Sequence, residues 1–97
     1  MKLEWGRFAL EDRDKIFDYI EQDSPQAAIA VDERISDQIK LLANFPELGR
    51  TGRIEDTREL VITHTPYIIA YTFSDDTIRV LRVLHSAQLW PDDIRDI

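Results

Sequence analysis

Residues 58–85, RELVITHTPYIIAYTFSDDTIRVLRVLH, constrain the fold more than any other stretch of the chain. Val, Ile, Thr, Tyr and Phe dominate it, and two turn clusters divide it, Thr65-Pro66 and Ser74-Asp75-Asp76. Branched and aromatic side chains suit a pleated, half-buried surface, so the stretch predicts three strands at 58–63, 67–73 and 77–85, joined as an antiparallel meander. Strand parity puts Arg79, Leu81, Val83 and His85 on one face of the last strand, and Ile78, Val80, Arg82 and Leu84 on the other. Arg82 and His85 are therefore expected on opposite sides. Both faces are largely apolar, which predicts an interior strand covered at least in part on each side. Arg58, Arg79 and Arg82 interrupt these apolar runs, and a buried charge without a partner is costly.

The residues before the meander change period twice. Leu3 and Trp5 alternate with Lys2 and Glu4, a short half-buried strand over residues 2–8 that Gly6 ends or bulges. Over residues 9–22, Leu10, Ile16, Phe17 and Ile20 recur at helical spacing, and Glu11 and Lys15 form a favourable pair one turn apart. Ser24 then supplies an N-cap and Pro25 a first helical residue whose missing N–H costs nothing. A second helix is predicted over residues 25–42, with Ala28, Val31, Ile35, Ile39 and Leu42 on one face. Asp32, Glu33, Asp37 and Lys40 lie away from that face, as a solvated surface does. The expected fold is one α+β domain over residues 1–97: an N-terminal strand, an antiparallel helix hairpin and the meander, with the helices packed on one sheet.

Between the helices and the meander lies NFPELGRTGRIEDT, residues 44–57, expected to be irregular, with Phe45 and Leu48 tucked beneath it as anchors. Loops of this length are uncommon in small domains unless they have a function. Arg50 and Arg53, followed closely by Arg58, make it locally basic, and its glycines would let backbone N–H groups approach an anion. It is not a P-loop, which also requires a lysine and a following hydroxyl residue. With Arg79 and Arg82 these arginines are the candidate anion- or partner-binding residues. Trp90, in the tail SAQLWPDDIRDI, is a candidate core anchor or partner contact.

Composition narrows the functional classes. The net charge of −7 argues against a general nucleic-acid surface. Residues 1–48 carry 6 basic and 11 acidic side chains, whereas residues 49–85 carry 5 of each, so the acid lies mainly on the helices. No apolar run approaches the roughly 20 residues of a membrane span, and residues 1–8 lack a signal-peptide pattern, so a cytoplasmic protein is expected. The chain has 0 cysteines and 2 separated histidines, His64 and His85, which predicts neither a metal nor a cofactor.

Five segments, in order and spacing, resemble the RelE/ParE superfamily of bacterial type II toxins: DRDKIFDYI at 12–20, FPELG at 45–49, RELV at 58–61, YIIAY at 67–71 and RVLH at 82–85. The resemblance spans nearly the whole chain. It implies a toxin masked by a cognate antitoxin, acting either on DNA gyrase or as a ribosome-dependent mRNA endonuclease. For the endonuclease, the resemblance matches Glu55 to the general base, Arg58 to the phosphate-stabilising cation and His85 to the general acid. Ser86 stands where such enzymes carry an aromatic residue, and a lysine-rich helix is missing. The acidic hairpin and the Arg-Glu-Leu-Val start of the meander are closer to ParE-like members. In that reading Arg58 and His85 contact a partner or serve the structure.

Overall fold

The computed structural model describes residues 1–91 and builds one five-stranded sheet from both ends of the chain. In chain order the elements are β1 (Lys2–Trp5), α1 (Arg7–Glu21), α2 (Pro25–Leu42), β2 (Arg50–Thr51), β3 (Arg58–Val61), β4 (Tyr67–Ser74) and β5 (Thr77–His85). The sheet order is β1-β5-β4-β3-β2. The meander pairs antiparallel as expected, while β1 joins β5 in parallel. β5 is therefore an interior strand. The acidic residues after Pro91 lie outside the described residues.

Local chemistry sets the helix ends. Gly6, extended at φ −66° and ψ 155°, caps α1 without a side chain, and its N–H donates to Val80 O at 2.8 Å. The first strand consequently stops at Trp5, and the helix begins two residues before the apolar stripe suggested. Ser24 Oγ accepts from Ala27 N at 3.1 Å with Pro25 in the first turn, so α2 starts where the sequence predicts. Such a cap stabilises a helix by about 1 kcal/mol.

The main core lies between the helices and one sheet face. Ile35, Ile39 and Leu42 of α2 are fully buried there against Leu60, Ile69, Tyr71, Ile78 and Val80. On α1, Ala9 takes the buried place, Ile16 and Ile20 pack beside it, and Leu10 is 46% exposed. The earlier helix start brings Ala9 into the first turn, facing the sheet. Asp32 also departs from a purely solvated role, holding Arg13 of α1 through two bonds of 2.6 and 2.9 Å.

One irregularity changes the faces of β5. Ala70 pairs with Arg82 but Tyr71 pairs with Val80, so Leu81 is an extra, bulged residue. Parity predicted opposite faces for Val80 and Val83, yet both lie in the helix-side core, and Leu81 packs with Ala70 on the reverse face. Arg82 and His85, both beyond the bulge, keep opposite parity, yet both side chains meet α1 or its groove: Arg82 bonds to Asp12, and His85 lines a groove with Ile16 and Tyr19.

Candidate functional site

The 44–57 segment folds onto the outer edge of β3 and carries most of the predicted site. It is not wholly irregular, because Arg50 and Thr51 form β2 opposite Glu59 and Arg58. Its anchor differs from expectation: Phe45 and Leu48 are 59% and 49% exposed. The buried Tyr71 phenol holds the loop instead, donating to Pro46 O at 2.8 Å and accepting from Gly49 N at 2.9 Å. Burial pushes this phenol up from its ordinary pKa, against the opposing pull of the Gly49 N–H. A Cβ on Gly49 would stand 2.7 Å from the phenol oxygen and 2.8 Å from Glu59 O. Gly49→Ala is expected to cost about 2 kcal/mol of stability by overpacking, read as a lower urea midpoint with an unchanged slope.

Glu59 organises the arginines. Its side chain is 2% exposed and accepts from the Arg53 backbone N–H at 2.7 Å, from Arg53 Nε at 3.1 Å and from Arg50 Nη2 at 3.2 Å. Burial alone would raise the Glu59 carboxyl, but the Arg53 backbone and side chain, with Arg50, outweigh it and hold the group below its ordinary pKa. The Arg53 guanidinium also lies 3.5 Å from the centre of the Trp90 ring. Trp90 and Ile54 in turn cover Ala70 and Leu81 on the reverse face of the sheet. Trp90 therefore closes a small second core.

Arg58 has a different setting. Its Nη1 donates to Gly49 O at 2.8 Å, and its guanidinium lies 5.6 Å from the Phe73 ring centre. Among the described residues no carboxylate pairs with it. A cleft of about 300 Å³ opens beside it, lined also by Thr51, Thr57, Thr72, Phe73 and one acid, Asp56. Guanidinium and hydroxyl groups together suit a phosphate or a partner carboxylate.

The three residues matched to nuclease chemistry do not share this cleft. Glu55 is exposed in the turn that precedes β3, near Arg58 in sequence. His85 sits at the far end of the sheet: it pairs with Tyr67, whereas Arg58 pairs with Tyr71. Four residues along β4 and two strand spacings across put these backbones roughly 16 Å apart. The His85 ring meets Tyr67 edge-on at 5.5 Å, and its Nδ1 accepts from Ala87 N at 3.0 Å, leaving Nε2 for the ring proton. Arg82 is bound to Asp12, and Arg79 lies 3.7 Å from Glu4 in an exposed pair.

Two organising residues, Glu59 and Asp12, escaped the sequence reading. A signal existed for Glu59: an acid alternating with Leu60 inside a strand, shortly after two arginines, needs those arginines as partners. Asp12 lies 70 residues from Arg82 and gave none.

A helix hairpin on a five-stranded mixed sheet, with an arginine loop folded onto the meander's outer strand, defines the chain as a RelE/ParE superfamily toxin. Residues 3–90 match the family described as ParE toxin of type II toxin-antitoxin system, parDE, and the chain belongs to that family. It is 46% identical over 90 residues to "Putative toxin Y4kP" of Sinorhizobium fredii, covering 93% of each protein. It is 39% identical over 85 residues to Toxin RelE2 of Caulobacter vibrioides, covering 88% of this chain and 94% of that one. Its fold matches a chain of the chromosomal ParDE toxin-antitoxin system from P. aeruginosa with a TM-score of 0.78 and 27% identity, over 88% of this chain and 95% of that one. Membership makes it the toxin of a type II pair and implies a cognate antitoxin. No helix among the described residues is long and apolar enough to cross a membrane.

Proposed function

We propose that this toxin arrests growth as a ParE-like inhibitor of DNA gyrase, acting by binding rather than catalysis, in the cytoplasm and under the control of its antitoxin. The observation that carries this reading is that Arg58 and His85 face opposite ends of β4: their backbones lie roughly 16 Å apart, the Arg58 guanidinium lies by Phe73 and Gly49, and the His85 ring lies by Tyr67. The tying of Arg50 and Arg53 to Glu59 supports it further, because those arginines are drawn away from a substrate anion. Arg58, with its open cleft, is the contact residue in this reading, and Trp90 holds the neighbouring loop.

The second reading is a ribosome-dependent mRNA endonuclease using Glu55, Arg58 and His85. The name of the Caulobacter relative, Toxin RelE2, favours it. Pulse-labelling of DNA and protein synthesis, in the minutes after the toxin is induced without its antitoxin, separates the two. DNA synthesis is expected to fall first, with His85→Ala and Glu55→Ala as toxic as the parent. An earlier fall in protein synthesis, abolished by either substitution, would establish the nuclease reading instead. Continued growth with both syntheses intact would mean a remnant that keeps antitoxin binding alone.

A further inference from the structure

Phe45 and Leu48 stand largely in solvent, and Leu41, one turn before Phe45 at the end of α2, is 43% exposed. Single apolar side chains on a surface are ordinary, but three in the stretch 41–48 form a cluster. The cluster borders the Arg58 cleft. The Arg58 guanidinium donates to Gly49 O at 2.8 Å and reaches Glu47 O at 3.5 Å, the carbonyls on either side of Leu48.

The loop is built to hold these side chains outward. The core takes in its backbone instead, because the buried Tyr71 phenol donates to Pro46 O and accepts from Gly49 N. Phe45 N–H donates to Leu41 O at 2.9 Å and Leu48 N–H to Phe45 O at 3.0 Å, so each exposed residue sits on a backbone turn fixed to the one before. Pro46 locks one more φ. A loop so tied loses little conformational entropy when a partner covers it, the condition under which exposed apolar groups yield most affinity.

We propose that Phe45 and Leu48 are the apolar anchors with which the toxin grips gyrase, seated in an apolar pocket of that protein while a carboxylate beside the pocket meets Arg58. The inference rests on the gyrase-inhibitor reading and adds the apolar half of its contact surface. An aromatic side chain and an arginine close together, ringed by weaker contacts, are the groups that dominate protein–protein binding. The charge of the chain selects the anion. A net charge of −7, with Asp56 lining the cleft itself, repels a phosphate backbone, whereas one carboxylate held by one guanidinium is compatible with it. The surface gripped is therefore protein rather than the DNA that gyrase carries.

The test titrates gyrase with the purified toxin and follows binding and supercoiling together. The variants are Phe45→Ser, Phe45→Leu, Leu48→Ser and Arg58→Gln, with Ile29→Ser as a similarly exposed apolar change elsewhere on α2. Phe45→Ser is expected to bind at least roughly tenfold more weakly and Leu48→Ser roughly fivefold, at low and high salt alike. The loss in Arg58→Gln should shrink as salt rises. Phe45→Leu is expected to keep most of the affinity and Ile29→Ser all of it. Phe45→Ser and Leu48→Ser should melt within about 3 °C of the parent, as exposed positions do. A larger fall overturns the inference by showing that these side chains serve the fold. Parent-like gyrase affinity in both serine variants, or an equal loss in Ile29→Ser, overturns it while the gyrase reading stands. The same loop variants should bind the full-length antitoxin as the parent does. A loss there as large as that toward gyrase also overturns the assignment, since the loop would not distinguish the target from the antitoxin. Unaltered toxin that neither binds gyrase nor blocks supercoiling is a distinct result, overturning the gyrase reading and this inference together.

Discussion

Asp12→Ala is expected to lose about 3–4 kcal/mol of folding stability, a fall in melting temperature of about 15 °C or more for a domain of this size. The Asp12 carboxylate accepts Nε and Nη2 of Arg82 at 2.6 and 2.9 Å, and also the Val83 backbone N–H at 3.0 Å. The two side chains are only 12% and 22% exposed. Strand β1 ends opposite Val80, so beyond that point β5 has no strand neighbour on this side. Asp12 supplies from a helix an acceptor that a longer strand would have offered. Alanine leaves a guanidinium and an N–H short of partners together, whereas Asn keeps an acceptor for the N–H and is expected to cost about 2 kcal/mol. Thermal melts of the two variants check the order. Equal, small losses would show that Arg82 turns out to solvent and that the helix is held by apolar packing alone.

The same residue shows where sequence reading stops. Apolar spacing fixed α2 to the residue, since Ala28, Val31, Ile35, Ile39 and Leu42 line one face and Ser24-Pro25 writes its own cap. The meander was equally legible, because turn chemistry at Thr65-Pro66 and Ser74-Asp75-Asp76 needs only neighbours in sequence. Leu81 was not. A bulge depends on how two strands register, and nothing in RVLRVLH marks which residue is extra. Beyond that residue parity no longer tells the core face: it grouped Val83 with Leu81, whereas Val83 lies in the helix-side core with Val80. Arg82 could be read as needing a partner, but the identity of that partner depended on the packing of α1 over β5.

The candidate site was legible in the same uneven way. An arginine-rich loop beside the meander was foreseen, while the division of labour among its arginines was not. Arg50 and Arg53 are structural partners of one buried acid, and Arg58 alone keeps an open cleft. Sequence proximity grouped the three. Strand pairing separates them, because β2 sets Arg50 against Glu59 and Thr51 against Arg58. The groove that His85 lines with Ile16 and Tyr19 went unseen for a related reason: its lining comes from both helices, a turn and the end of β5.

Glu59→Ala is expected to cost about 2–3 kcal/mol, less than Asp12→Ala although its carboxylate is the more buried. Arg50 and Arg53 are 59% and 45% exposed and can regain water when their partner goes, which lowers the penalty of a broken ion pair. What cannot be regained is the Arg53 backbone bond that ties the loop to β3. The pH dependence follows from the lowered folded-state pKa. An unfolded Glu59 would titrate near the ordinary 4.5, above its folded value. The unfolded chain then binds the proton more readily, so this group's contribution is complete above about pH 4.5 and is lost as the pH falls through the folded pKa. Glu59→Gln, which carries no such proton, lacks this loss, so the parent's stability should fall toward that of the variant as acid is added. The stability gap between the two should be widest near neutrality and narrow below about pH 4.5. Urea midpoints across that range measure the gap directly. A gap constant with pH would mean that Glu59 acts through shape and neutral hydrogen bonds, and that its charge does not hold the arginine loop to the sheet.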